Sequence, residues 1–495
     1  MSEAVSLRRL LACAFAAGLL FLLPTSAEFT QQVRFTAAIG LFMALLWMSE
    51  AIPLGLTALI PLVAFPLSGI ATTDQIAAPY ANPAVFLFLG GFLLASTLER
   101  WNLHRRVAAF ALTKVGTEPR RLVFAVILVT AFLSMWMSNT ATTLMMTPIV
   151  VAIVRGLGSS REDGTSPVGE AALLGVAYAA SLGGIGTPIG TPTNLIFLGS
   201  ARELFPEATT VTFAQWMLFG IVYLAILVPA CWLLLIVVCR VRRGEPVPLE
   251  QLGLRRGEPM TRPEKTALIL CIATAILWIT RADVTIGTTR IYGWANLFPH
   301  PRSISDATVA VAMAALAFVL PVGGNQRLLG WDAFRKVPWD VLILFGGGFA
   351  LAEALEISGF SKWAGARMSF LGGWPPVLMI VTLCIAVTLL SEMASNVATA
   401  TAMMPIAAAL ATSIGVHPYM LMLPTVLAAS SGFMLPVATA PNTIVYGTGL
   451  VRVRAMTRAG VLLDLAAMIV ITLLTFLVIP WATGIDLRVP LSGNR

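Results

Sequence analysis

Two nearly identical pentapeptides constrain this chain more than any other feature. Ser138-Asn139-Thr140-Ala141-Thr142 returns as Ser395-Asn396-Val397-Ala398-Thr399, and Met146, Pro148 and Ile149 return as Met403, Pro405 and Ile406, all at one offset of 257 residues (Asn139 to Asn396). The match extends upstream, where Phe88, Gly90, Gly91, Phe92, Leu98 and Glu99 reappear as Phe345, Gly347, Gly348, Phe349, Leu355 and Glu356. A repeat this long means two copies of one structural unit. Each pentapeptide lies inside an apolar run too long for one membrane helix and too polar at its centre to stay unbroken. A continuous helix from Arg121 to Arg155 would measure about 50 Å, against roughly 30 Å of hydrocarbon. Two half-length helices meeting at the Ser-Asn tip, a re-entrant hairpin, fit better, with the second hairpin over about 375–412.

With 58% hydrophobic and 11% charged residues in 495, an ordinary water-soluble protein is excluded and a polytopic membrane protein is expected. Its Lys and Arg sit in short loops between apolar runs, so the net charge of +8 speaks to membrane topology and not to nucleic acid. The five cysteines show no CxxC spacing and the three histidines are scattered, so neither a zinc nor a haem site is expected. Arg8 and Arg9 before the apolar run Leu10 to Leu23 imitate a signal peptide, but in such a chain they are expected to open a first, uncleaved helix.

Helices are expected over about 7–24, 33–48 and onward to 68, then from 85 past Gly90-Gly91 to a basic loop at 100–121. After the first hairpin and a polar loop at 156–167 comes Gly183-Gly184-Ile185-Gly186-Thr187-Pro188-Ile189-Gly190-Thr191-Pro192-Thr193-Asn194, too rich in Gly and Pro for a continuous helix. Its counterpart is Gly432 to Asn442, so each repeat holds a hairpin followed by a helix unwound halfway. Matching interruptions in two halves are the best sequence pointer to a transporter's substrate site. Further helices are expected over about 213–238, 265–279, 307–320 and 461–480, with an Arg-rich loop after 240 and a polar stretch before 303.

If the N-terminus is cytoplasmic and both hairpins return to the side they entered, most of the 32 Lys and Arg fall inside, and the C-terminus falls outside. Five crossings then separate the starts of the two repeats. An odd number inverts one repeat against the other, so the tips enter from opposite faces and can meet near the membrane middle.

Broken helices expose N–H groups where a half-helix begins and C=O groups where one ends. Beginning halves favour an anion; ending halves offer oxygens to a small hard cation such as sodium. Asn139, Thr140 and Asn396 supply donors for the anion, while Ser134, Ser138, Ser391 and Ser395 supply oxygen ligands. Ser134 and Ser391 each stand one helical turn before a tip serine and can face the same site. No Arg or Lys lies in these motifs, so a doubly charged anion in a low dielectric needs bound cations, the physical basis of symport. A single Ser-Asn-Thr would ordinarily be a helix-helix hydrogen bond; duplicated tips, duplicated breaks and inversion together favour the site. Glu50, Glu99, Glu353, Glu356 and Glu392 lie near helix ends or breaks and read as caps or ion pairs rather than proton carriers.

These motifs, with Trp47-Met48-Ser49-Glu50-Ala51-Ile52-Pro53, Ser391-Glu392-Met393-Ala394-Ser395-Asn396, Pro192-Thr193-Asn194 and Pro441-Asn442, resemble the divalent anion/sodium symporter family of dicarboxylate, citrate and sulfate carriers. The resemblance covers essentially the whole chain. It implies an all-α polytopic fold of about eleven transmembrane helices plus two re-entrant hairpins, a scaffold that makes a homodimer, and a transport domain that moves as an elevator. It implies one sodium site from Ser134, Ser138, Asn139 and Gly190, another from Ser391, Ala394, Asn396 and Ala438, and substrate carboxylates held by Asn139, Thr140, Asn396 and Thr439 beside Val397. Members usually carry Thr where this chain has Val397 and Pro where it has Ala440. The expected organisation is scaffold helices in 1–81, a first repeat core in 82–212, scaffold and linker helices in 213–338, a second repeat core in 339–456, and a last helix and tail in 457–495. The expected function is sodium-coupled uptake of a small dicarboxylate of the succinate, malate and fumarate class across a bacterial inner membrane. A sodium-independent dicarboxylate exchanger, or a citrate or sulfate carrier, is the alternative. HExxH, paired catalytic aspartates and a Ser/His pair are all missing from the sequence, so no enzyme is expected.

Overall fold

Residues 7–157, 166–244, 259–286, 289–323 and 326–491 are described by a computed structural model. Most of the loop expected at 156–167, and of the Arg-rich loop after 240, lies outside them. The molecule is mostly helical, and the two repeats have parallel element orders. The first runs through helices Pro83–Arg100, Leu103–Val115, Pro119–Ser134, Asn139–Leu157, Pro167–Gly184 and Pro192–Leu204. The second runs through Trp339–Ile357, Phe360–Met368, Pro376–Met393, Asn396–Ser413, Tyr419–Ala429 and Ala440–Tyr446. Proline opens many of these helices, where its fixed φ suits the first turn and its missing N–H costs nothing.

Leu103–Val115 corrects the expectation of a plain basic loop at 100–121. Its counterpart in the second repeat, Phe360–Met368, starts at the equivalent position and bends away from Trp339–Ile357 by 78°. Arg106 in the first is held by Glu264 at 2.8 Å, so part of the charge that reads as loop is instead an ion-paired helix face.

The hairpin limbs contain 16, 19, 18 and 18 residues, about half of each expected run. The last helix begins at Val453, ahead of the expected 461, because Arg454 and Arg458 are helical although they are not part of an apolar span. Among the described residues, five helical stretches, Gln31–Ser49, Thr73–Arg100, Phe213–Val238, Pro376–Met393 and Val453–Thr483, are long and apolar enough by themselves to cross a membrane. Others, such as Leu54–Ser68 and Asp306–Val319, are shorter. Two small antiparallel strand pairs, Val284–Ile286 with Thr289–Ile291 and Pro321–Gly323 with Gln326–Arg327, add to the all-helical expectation.

The repeated glycines mark where helices approach closely. A Cβ on Gly90 would lie 2.6 Å from the Ala310 backbone, and one on Gly347 would strike the carbonyl oxygen of Ala58. Equivalent positions thus seat each repeat's opening helix against a different neighbour outside the repeats. Phe88 and Phe345, also equivalent, touch each other edge to face at 5.4 Å. Equivalent residues can meet only near an axis relating the two copies, so this pair locates the seam between the repeats.

Candidate functional site

Each hairpin tip is built around one serine and one asparagine. Ser134 is fully buried, with Oγ 2.6 Å from the Ala180 carbonyl and 3.0 Å from Asn139 Oδ1. Ser391 repeats this, with Oγ 2.6 Å from the Ala429 carbonyl and 2.8 Å from Asn396 Oδ1. A hydroxyl has one proton to donate, so one of the two oxygens near each serine faces a lone pair. A small hard cation resolves such an oxygen cluster. Ser138 Oγ accepts from Ala141 N–H at 3.2 Å and caps the second limb, which begins at Asn139.

The unwound stretches lie beside the tips and are braced in the same way. Asn194 Nδ2 donates to the carbonyls of Gly184 at 2.9 Å and Thr187 at 2.8 Å; Asn442 Nδ2 donates to those of Gly432 at 3.3 Å and Leu435 at 2.9 Å. Each amide therefore bridges two carbonyls at or within the break and ties them to the half-helix that follows. Thr439 caps Ala440–Tyr446 by accepting from Asn442 N–H at 3.2 Å, and Pro441 occupies the first turn, so the departure at Ala440 leaves the helix start intact. At Gly190 the backbone closes a cradle: a Cβ there would lie 2.5 Å from the Gly184 carbonyl oxygen and 2.9 Å from that of Ser134. Oxygens of Ser134 and Gly184, with Asn139 Oδ1 close to Gly184, converge on a space only glycine leaves open. These residues fit a sodium ion. Thr193 and Ser430 bond across the seam at 2.7 Å, joining the two broken segments.

Both tips open on one cavity of about 800 Å³, within the range of small-molecule sites. Asn139, Thr140, Asn396, Val397 and Thr439, the expected substrate residues, all line it, as do Ser138, Ala394 and Ala438 from the expected sodium sets. Ser134, Ser391 and Gly190 stand behind the lining, buried against it. The limbs starting at Asn139 and Asn396 turn their first, intrahelically unpaired N–H groups toward this space. A second cavity of equal volume, walled by Leu94, Phe110, Phe132 and Trp278, is almost wholly apolar and offers little to a carboxylate.

Several contributors were not assigned to the site from the sequence. Arg9, Met48, Ser49 and Glu50 form part of the cavity wall, and Arg9 donates to the Ser49 carbonyl at 3.1 Å. No motif announces Arg9, because it arrives from a helix 130 residues before the first tip (Arg9 to Asn139). The bracing role of Asn194 and Asn442 had a signal, since both close the Gly/Pro-rich motifs at matching positions. Among the described residues Glu392 caps no helix and pairs with no cation: its carboxylate accepts Met434 N–H at 2.8 Å and Leu435 N–H at 3.0 Å, holding the second unwound segment from behind.

A family model described as the sodium:sulfate symporter transmembrane region matches residues 4–483. The chain belongs to this family. The sequence resemblance to divalent anion/sodium symporters is thereby borne out. Within the sodium:sulfate symporter family, the chain is 35% identical over 474 residues to the sodium-dependent dicarboxylate transporter SdcS of Staphylococcus saprophyticus, covering 92% of this chain and 88% of that one. It is 36% identical, with the same coverage, to SdcS of Staphylococcus aureus strain NCTC 8325. Among solved structures, the fold is similar to the YdaH transporter of Alcanivorax borkumensis, with TM-score 0.56 and 15% identity over 81% of this chain and 87% of that one. It is also similar to MtrF of Neisseria gonorrhoeae, with TM-score 0.54 and 13% identity over 94% and 98%. The family and the apolar helices make the protein an integral membrane transporter.

Proposed function

We propose that the protein carries a small dicarboxylate into the cell together with sodium. The observation that supports this best is the pair of serine-asparagine oxygen clusters at the two tips of one shared cavity. The relatives named as sodium-dependent dicarboxylate transporters agree with it.

In this reading Ser134, Ser138, Asn139 and Gly190 hold one sodium ion, and Ser391, Ala394, Asn396 and Ala438 hold the other. Asn139, Thr140, Asn396 and Thr439 bind the two carboxylates, with Val397 packing beside them. Sodium binds first and orders the tips. The anion follows, because its charge is tolerable in that setting only beside bound cations. The two repeats, inverted in the membrane, form a transport domain that moves as an elevator against scaffold helices in 1–81 and 213–338. The repeat cores lie within 82–212 and 339–456, and the last helix and tail follow from 457. About eleven crossings plus the two hairpins, a cytoplasmic N-terminus, an outward C-terminus, a homodimeric scaffold and a bacterial inner membrane complete the proposal.

The test is succinate uptake into proteoliposomes, with sodium or choline outside and with or without internal dicarboxylate. Uptake is expected only with sodium and without need of internal substrate; the opposite pattern would make the protein an exchanger. Citrate and sulfate as competitors read out the alternative cargoes. Asn139→Ala and Asn396→Ala each remove a hydrogen bond to a charged ligand, about 1.5–3 kcal/mol, and are each expected to cut uptake roughly ten- to a hundredfold.

A further inference from the structure

The apolar cavity of about 800 Å³ shares no lining residue with the substrate cavity. It lies between the first repeat and helix Arg262–Ile279, with walls from Leu94, Phe110, Phe132, Leu268 and Ile272 on four helices. Phe110, Phe132 and Ile272 are 65%, 50% and 50% exposed, so the cavity opens outward through an apolar mouth, onto the side that a bilayer covers.

Charge gathers at one end of it. Arg106 lines the cavity and grips both carboxylate oxygens of Glu264, at 2.8 and 2.9 Å, so those two charges cancel. Two exposed lysines add to them. Lys114 Nζ sits 5.9 Å from the ring centroid of Phe110. Lys265 precedes Leu268, Ile272 and Ala275 by three, seven and ten residues, the spacing of a single helix face, and those three line the cavity. From Lys265 along that stripe to Trp278 is about 20 Å of helix, the depth of one leaflet with its interface. His104, also in the lining, is 6% exposed, and its Nδ1 is buried without a hydrogen-bond partner. Farther along, Thr274 and Cys271 are already turned to the Leu270 carbonyl and to Thr97. A slot one leaflet deep, apolar below and positive at its mouth, matches an acyl chain beneath a phosphate; basic pockets between membrane helices bind anionic headgroups in this way.

In the second repeat the chain fills the matching place itself. Trp363, 257 residues after Arg106, packs against Phe29 with ring centroids 4.7 Å apart, and Phe29 is 7% exposed. We propose that the first repeat's slot is filled from the bilayer by an anionic phospholipid. One acyl chain lies between Leu103–Val115 and Arg262–Ile279, the phosphate sits at the mouth marked by Lys114 and Lys265, and the His104 nitrogen meets the ester region between them. This site is separate from both sodium positions and from the dicarboxylate.

The test uses the full-length protein in phosphatidylcholine vesicles with a trace of phosphatidylglycerol carrying a photoreactive diazirine in its acyl chain. Adducts, mapped by mass spectrometry, are expected to concentrate at Phe110 and on the 268–278 stripe, well above those at Leu389, which is exposed on the second hairpin. Added unlabelled phosphatidylglycerol is expected to suppress them, and added phosphatidylcholine is not. Lys114→Gln with Lys265→Gln changes only exposed side chains and is expected to lower their yield roughly fivefold for each charge removed. Ala275→Phe, which fills the slot, is expected to lower it with the lysines intact. Equal labelling of Phe110 and Leu389, equal suppression by phosphatidylcholine, or a yield unchanged in the lysine double variant overturns the proposal. Labelling requires no transport, so its failure is distinguishable from failure of the dicarboxylate reading, which only uptake addresses.

Discussion

The two halves of the site use the same hydrogen bonds in different settings. Around the first tip, the unwound residues 185–191 are all buried, and the helix that follows, Pro192–Leu204, has 13 residues. Around the second, Val437 is 76% exposed and Met393 80% exposed, and the following helix, Ala440–Tyr446, has only seven residues. The first half's unwound segment is buried in the core, whereas the second's is partly exposed beside the cavity. Their differing residues agree with this division: Gly190 faces converging carbonyls where its counterpart Ala438 carries a methyl, and Thr140 offers a hydroxyl where Val397 offers none.

The sharpest challenge to that contrast is a pair of exchanges. Gly190→Ala places a methyl among the Ser134 and Gly184 carbonyl oxygens, and overpacking costs about 1–3 kcal/mol. Sodium affinity, read from the sodium dependence of uptake, is expected to fall by up to roughly a hundredfold. Ala438→Gly, at the matching place in the open half, is expected to change it far less; equal losses would show that the halves are equally tight.

Val397→Thr restores to the second tip the hydroxyl that the first tip has. One further hydrogen bond contributes about 1 kcal/mol, so the apparent KM for its preferred dicarboxylate is expected to move roughly fivefold, with competition by citrate and sulfate changing alongside. A smaller effect is expected for Arg9→Gln. The side chain is exposed at the cavity wall, and exposed ion pairs are worth at most about 1 kcal/mol, so KM is expected to rise roughly two- to fivefold, less at high salt.

The smallest effect concerns stability. His104 and His417 are 6% and 4% exposed, and burial, with Arg105 adding its charge at His104, lowers both imidazoles to about 4. The unfolded chain binds these protons near pH 6.5 and the folded one does not, so folding free energy declines as pH falls from about 6.5 toward 4. A thermal melt in detergent is expected to shift down by a few degrees over that window, and less in a His104→Gln, His417→Gln double variant.

The tips and breaks were legible because the chain states them twice, and polar residues inside long apolar runs have few other uses. Asn139, Thr140 and Asn396 could be found that way, since their neighbours in sequence are also their neighbours in the site. What stayed hidden is non-local. Arg9 reaches the cavity from a distant helix, and Glu392 meets Met434 and Leu435 only once the second unwound segment folds back over the hairpin. The helix at 103–115 was missed for another reason: a helix carrying Arg105, Arg106 and Lys114 has the composition of a loop, and what holds it, the ion pair of Arg106 to Glu264 and the packing of Leu103 and Ala108 into the core, is non-local.

Phe88 and Phe345 carry a consequence for how the halves could diverge. Residues on the seam pack against their own counterparts, so a change in one alters the partner of the other, and the pair is expected to behave non-additively in a double-mutant cycle. Positions away from the seam carry no such obligation. The molecule therefore has a shared packing line that both copies must keep in common, and flanks, such as Thr140 against Val397, where each copy has been free to specialise.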